Sequence, residues 1–217
     1  MELNRYIDHT LLKSTATVSD IEILCEEAIK YQFIGVCIHG SYLKLAKSIL
    51  KDSDVKLVAV TDFPLGMAQP KAKLEETVIN LQAGADEIDT VLNLGLLKSK
   101  NYKAIEEELT SIKTTMGEKI LKVIIETCYL TTEEKRVACR LLINSGVDFI
   151  KTSTGFGSGG ATIEDVKFIK EEVGNSAKIK ASGGIRDVHT AQNFIASGAD
   201  RIGTSSAVSM MKALKNQ

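Results

Sequence analysis

Three segments of the chain repeat one pattern: Gly84-Ala85-Asp86-Glu87-Ile88-Asp89, Gly146-Val147-Asp148-Phe149-Ile150-Lys151 and Gly198-Ala199-Asp200-Arg201-Ile202-Gly203. In each, a helical pattern closes on glycine, the residue that most readily takes the left-handed conformation of a helix C-terminus. An apolar β-type run follows within two or three residues, as in the short αβ loops of repeating β-α units.

Reading outward from these anchors, strands are expected near Ile7–Thr10, Gly35–Ile38, Lys56–Thr61, Glu87–Asn93, Leu121–Glu126, Phe149–Thr152, Lys178–Ala181 and Arg201–Gly203. Helical patterns alternate with them at Ser19–Tyr31, Tyr42–Lys51, Lys71–Gln82, Tyr102–Met116, Thr132–Asn144, Ile163–Val173, Val188–Ala196 and Ala207–Leu214. Ser19-x-x-Glu22 and Thr131-x-x-Glu134 read as capping boxes. Strict alternation implies a parallel sheet. An open doubly wound sheet fits the same alternation, but its dinucleotide-binding form wants Gly-x-Gly-x-x-Gly after the first strand. Here the first strands end in Asp8-His9-Thr10 and Cys37-Ile38-His39. The expectation is an α/β fold, a single (β/α)8 TIM barrel over residues 1–217, with no linker or composition shift dividing it.

Composition narrows the function. With 44% hydrophobic and 25% charged residues, the chain reads as an ordinary soluble globular protein. A net charge of -1 with evenly spread Lys and Arg gives no footprint for nucleic acid, and no apolar run approaches the length of a membrane helix. The start, Met1-Glu2-Leu3-Asn4-Arg5, has no signal-peptide core, so a cytoplasmic location is expected. Cys25, Cys37, Cys128 and Cys139 lack Cys-x-x-Cys spacing and sit in apolar settings, which reads as reduced core thiols.

In a barrel of this kind, chemistry gathers at the C-terminal strand ends. Those ends carry Asp8, Thr10, Cys37, His39, Asp62, Asp89, Asn93, Lys151 and Lys180. Lys151 and Lys180 fall on adjacent strands, the sixth and seventh. Two ammonium groups facing one lumen depress each other's charge, and a neutral lysine is an amine nucleophile for carbonyl carbon. The other reading is a pair of wall lysines whose heads reach solvent, as is expected for Lys178 at the strand entry. Asp89 interrupts an apolar strand and reads either as a general acid/base or as a structural ion-pair partner; Asp8 could serve the same polar network. Ser153-Thr154-Gly155, Ser182-Gly183-Gly184 and Gly203-Thr204-Ser205-Ser206 are small, hydroxyl-rich loops that suit phosphate, or are tight turns only. His9, His39 and His189 lack zinc-site spacing, so no metal is expected. Cys37 is either a reactive thiol or an inert buried one.

At this point the residues resemble a known family. Phe149-Ile150-Lys151-Thr152-Ser153-Thr154-Gly155-Phe156-Gly157 with Gly159-Gly160-Ala161-Thr162 is similar to the Schiff-base segment of bacterial deoxyribose-phosphate aldolases. Lys180-Ala181-Ser182-Gly183-Gly184-Ile185-Arg186, Ala85-Asp86-Glu87-Ile88-Asp89, Leu121–Cys128, Phe63-Pro64-Leu65-Gly66 and Arg201–Ser206 match in the same order, from Ile7 to about Ser206. The resemblance implies a metal-free, cofactor-free class I aldolase acting on 2-deoxy-D-ribose 5-phosphate, and a homo-oligomer, with a dimer as the expected form. It implies Lys151 as Schiff-base lysine, Lys180 as its proton-transfer neighbour and Asp89 as acid/base, with Asp8 in support. Gly155, Gly183, Gly184, Ser205 and Ser206 match phosphate-holding positions. A phosphosugar isomerase or epimerase, or a non-catalytic phosphosugar-binding barrel, remain the alternatives. The chain departs from the family at Asp62, expected at the pocket mouth, and at His39-Gly40, Ala207 and Asp187. The ending Lys215-Asn216-Gln217 lacks the tyrosine-bearing tail of some members.

Overall fold

The computed structural model describes residues 2–215, so Asn216 and Gln217, part of the expected departure at the tail, lie outside the described residues. Eight strands form a closed parallel barrel in sequence order: β1 (Ile7–Thr10), β2 (Gly35–His39), β3 (Lys56–Thr61), β4 (Glu87–Val91), β5 (Ile120–Ile124), β6 (Phe149–Lys151), β7 (Lys178–Ser182) and β8 (Arg201–Thr204). Helices α1 (Val18–Tyr31), α2 (Leu43–Leu50), α3 (Pro70–Gln82), α4 (Leu94–Lys98), α5 (Tyr102–Met116), α6 (Thr132–Asn144), α7 (Ile163–Val173), α8 (Val188–Ala196) and α9 (Ala207–Lys215) accompany them. The main core lies between barrel and helices, built from outward strand residues such as Val36, Ile88, Ile150 and Ile202 against helix residues such as Ile21, Ile112 and Ile169.

Several local expectations need correction. The cap of α1 is Thr17 with Asp20, which exchange both bonds of a capping box; Ser19, of the expected Ser19-x-x-Glu22 box, is already the second residue of the helix. The box at Thr131 and Glu134 is present. β4 stops at Val91 because Asn93 turns to cap α4, a short helix with no expectation behind it. Likewise β5 ends at Ile124, and Glu126 sits in left-handed backbone at φ 48°. Cys25, Cys37 and Cys139 are buried free thiols as expected, but Cys128 is exposed.

Strand register explains how charge enters the lumen. Asp8 pairs with Gly35 on one side and Gly203 on the other, and Lys151 pairs with Lys180. A Cβ at Gly35 would lie 3.0 Å from Asp8 Oδ1, and one at Gly203 would lie 3.1 Å from Lys180 Cε. The two glycines leave the width that the Asp8 and Lys180 side chains fill. The β2–β3 side of the lumen is apolar instead, with Cys37, Val58 and Val60 packed together.

Candidate active site

The inward positions of β1, β4, β6 and β7 place Asp8, Asp89, Lys151 and Lys180 in one cluster. Asp89 Oδ2 accepts from Lys151 Nζ and from Lys180 Nζ, both at 2.8 Å, and Lys180 Nζ also lies 2.5 Å from Asp8 Oδ2. The four residues expected from the sequence are therefore in direct contact. Three more join them that sequence reasoning missed. Lys122 Nζ lies 2.9 Å from Asp89 Oδ1 and 2.5 Å from Glu87; Arg201 bonds Asp8 at 2.6 Å and Glu87 at 3.2 Å. Their signal was parity: Glu87 shares the inward face of β4 with Asp89, and Arg201 that of β8 with Gly203.

The electrostatics also correct an expectation. Burial alone would push the Lys180 ammonium towards neutrality, but Asp8 and Asp89 outweigh it and hold the group above the ordinary lysine range. Lys122 and Arg201 are raised in the same way, against burial, by Asp89 with Glu87 and by Asp8 with Glu87. Burial would raise Asp89, yet Lys122, Lys151 and Lys180 keep it well below the carboxylate range; Lys180 and Arg201 do the same for Asp8. The lowering of Lys180 expected from its lysine neighbour is thus overridden, because carboxylates stand against its ammonium. Cys37, 3.9 Å from Asp89, is pushed up by burial and is an inert thiol at neutral pH.

Above the cluster opens a cavity of about 270 Å³. Of the charged cluster, Lys151 alone lines it; Asp8, Asp89 and Lys180 lie beneath its floor. Gly155, Gly183, Gly184 and Ser205 line the wall, with Thr10 and two cations not singled out beforehand, Lys13 and Arg186. Gly155, Gly183 and Gly184 all have φ between 81° and 89°, a conformation that lets successive N–H groups turn towards a common centre. Ser206 does not line the cavity, and its N–H is taken by Thr204 Oγ1 at 2.9 Å.

The loops are held from several sides. Glu126, buried under the β6–α7 loop, accepts from the Thr154 N–H at 3.2 Å and from the Thr154 hydroxyl. Ala161 N–H reaches the carbonyls of Ser182 and Gly183, and Gly160 packs so closely on Gly183 that no side chain fits between them. Thr204 Oγ1 donates to Ile185 O, tying the β8–α9 loop to its neighbour.

The departures from the family resolve individually. Asp62 does not face the cavity: it lies 3.1 Å from the buried Lys73 ammonium and accepts from Ala68 N–H, so its charge is compensated. Its φ of 49° is the left-handed region that favours glycine. His39 Nε2 bonds Leu12 O, and Gly40 leaves room for Asn80, whose Oδ1 would meet a Cβ at 2.3 Å. Asp187 caps α8 through Thr190 N–H. His9 pairs with Glu27 and His189 with Asn193, and among the described residues no group of three or more His, Cys, Asp or Glu is placed to hold a metal. No described helix is long and apolar enough to cross a membrane.

Residues 3–210 match the model of the DeoC/LacD family aldolases. The chain belongs to the DeoC/LacD aldolase family. Within it, a protein of Coprothermobacter proteolyticus named deoxyribose-phosphate aldolase is 49% identical over 99% of this chain and 98% of that protein. Among solved structures, an aldolase designated QR15 is 40% identical with a TM-score of 0.96, covering 100% of this chain and 97% of that one. The tetrameric deoxyribose phosphate aldolase of Aeropyrum pernix is 33% identical with a TM-score of 0.90, covering 98% and 91%. An aldolase of this family is a lyase, and the shared closed barrel is the frame in which its carbonyl chemistry is set.

Proposed function

We propose that the chain is a class I aldolase that reversibly cleaves 2-deoxy-D-ribose 5-phosphate into acetaldehyde and D-glyceraldehyde 3-phosphate, in cytoplasmic deoxynucleoside breakdown. The observation that carries this reading is the position of Lys151: a buried amine inside a charged cluster, and the cluster's one member at the cavity surface. Relatives named deoxyribose-phosphate aldolase support the substrate.

The steps follow from that placement. The neutral Lys151 Nζ attacks C1 of the ring-opened sugar, and loss of water gives an iminium. The C3 hydroxyl loses its proton, C3 becomes the aldehyde carbon of D-glyceraldehyde 3-phosphate, and the C2–C3 bond breaks. Its electron pair moves to C2 and forms the enamine, cancelling the iminium charge. Protonation at C2 and hydrolysis release acetaldehyde and restore the amine. Lys180 and Asp89, in contact with Lys151 from below, pass protons to and from the cavity through water, and Asp8 fixes Lys180. The N–H groups of Gly155, Gly183, Gly184 and Ser205 receive the phosphate beside Arg186, while Ser206, outside the cavity wall with its N–H engaged by Thr204, supports the loop from behind. An isomerase using Asp89 as substrate base fits less well, because Asp89 is held by three ammonium groups away from the cavity wall. A homo-oligomer, with a dimer as its smallest form, completes the reading and is measured by light scattering.

The test is intact-protein mass and peptide mapping after mixing with acetaldehyde and sodium borohydride. An ethyl group reduced onto Lys151 is expected. No adduct, or one spread over surface lysines, refutes the Schiff-base assignment.

A further inference from the structure

The buried charges form a closed circuit. Followed once round the lumen, the contacts run Glu87 to Lys122 at 2.5 Å, Lys122 to Asp89 at 2.9 Å and Asp89 to Lys180 at 2.8 Å. They continue from Lys180 to Asp8 at 2.5 Å, Asp8 to Arg201 at 2.6 Å and Arg201 back to Glu87 at 3.2 Å. Each carboxylate touches two cations of the circuit, and each cation touches two carboxylates. Three negative and three positive charges cancel. Lys151 hangs on this ring through Asp89 alone, at 2.8 Å.

Charge balance in a dry interior is costly to disturb. With the ring complete, a protonated Lys151 is the single cation in excess, and removing its proton leaves the lumen neutral. Removing a proton from Lys122 or Lys180 instead would strip a shared cation from two carboxylates. We propose that Glu87 and Arg201, which pair with each other and the ring but not with Lys151, are positioning residues that set this balance and so select Lys151 as the amine that gives up its proton. The proposal rests on Lys151 being the Schiff-base lysine. The remaining inward positions do not enter the circuit: Cys37 on β2 stays a thiol, β3 contributes Val58 and Val60, and Lys56 and Lys178 stand at the solvent-exposed strand entries, with the Phe149 ring between Lys178 and the buried cations.

This role separates from simple packing by sign. Glu87→Gln keeps the shape but leaves two excess cations with Lys151 protonated, so the acid limb of adduct formation moves to lower pH. Arg201→Gln removes the excess, so the limb moves to higher pH. Glu87 lies two strand residues from Asp89, ~7 Å, and a unit charge at that range in an effective dielectric of ~20 shifts the limb by about one to two pH units. The double variant restores the balance and returns the limb to its wild-type position.

The experiment is the pH dependence of acetaldehyde adduct formation at Lys151 under cyanoborohydride, read by peptide mapping for wild type, both single variants and the double. Opposite displacements that cancel in the double are expected. Coincident limbs, displacements of the same sign, or a double that stays displaced overturn the proposal. Where a single variant fails to fold by circular dichroism, the double decides alone: it must fold with the wild-type limb, and its failure to fold counts against the proposal. Glu87→Asp and Arg201→Lys keep the charges and must leave the limb in place. A wild type that forms no Lys151 adduct at any pH refutes the Lys151 assignment and the proposal with it. An adduct with unmoved limbs refutes the ring's role alone.

Discussion

A single methyl group at residue 160 reaches the cavity from outside it. In Gly160→Ala the new Cβ would sit 2.3 Å from the Gly183 carbonyl oxygen and 2.6 Å from its carbon. Both atoms are backbone, so no side chain can swing aside. Restoring ordinary van der Waals contact at about 3.4 Å requires the two loops to part by roughly 1 Å. The separated segments carry Gly155 on one side and Gly183 and Gly184 on the other, and the Ala161 N–H loses its place between Ser182 O and Gly183 O. A misplacement of that size costs about 10²-fold in rate, or ~2.7 kcal/mol of transition-state stabilisation. Overpacking adds about 1–3 kcal/mol of lost stability, visible as a lower Tm. The assay compares kcat/KM for 2-deoxyribose 5-phosphate with that for unphosphorylated 2-deoxyribose. The phosphorylated substrate should lose about 10²-fold, the other much less, and Lys151 should still be trapped by acetaldehyde and borohydride. Wild-type kcat/KM for the phosphorylated sugar, or an equal loss on both sugars, refutes the reasoning.

Lys151→Arg keeps a cation beside Asp89 but cannot form an iminium at neutral pH, so turnover should fall to background while circular dichroism is unchanged; appreciable residual turnover sinks the assignment. Stability measured by urea melts should be flat near pH 7–9 and fall in two stages on acidification. Burial lowers the His9 pKa more than Glu27 raises it, so stability starts to drop below pH ~6.5, where the unfolded histidine takes up a proton. Asp8 and Asp89 are lowered too, so their contribution is full above pH ~4 and is lost as pH falls further. A His9→Asn variant should lack the first stage, and its persistence would refute this account. Of the four thiols, Cys128 alone should react rapidly with a thiol reagent in the native state, since Cys25, Cys37 and Cys139 are buried and pushed up by burial. Rapid labelling of Cys37 would contradict the sealed lumen.

The Gly-x-Asp repeats made the barrel legible because each marks a helix end and the strand after it, and several helices fall at their expected limits. α4 was invisible: at five residues it shows no period, and its start depends on Asn93 leaving the strand. Lys151, Lys180 and Asp89 were readable as charges in apolar strands. What their meeting does was not, because the sign of the Lys180 shift depends on Asp8, brought to it by the closing of the barrel. Asp62 was misplaced for a related reason. Sequence order puts it at a strand end, but its left-handed backbone and the buried Lys73 turn its carboxylate away.

The contact between Asp8 and Arg201 spans 193 residues, from the first strand to the last. A ribosome delivers these groups at opposite ends of synthesis, so for most of that time Asp8 waits without its guanidinium. An uncompensated carboxylate keeps water in the lumen, and a wet lumen does not pack. Drying of the interior is thereby tied to arrival of the final strand. Chains cut short before residue 201 should behave as open, hydrated sheets rather than as weakened enzymes. On the proposed assignment, Lys151 becomes a usable amine only once the final strand has sealed the lumen around it.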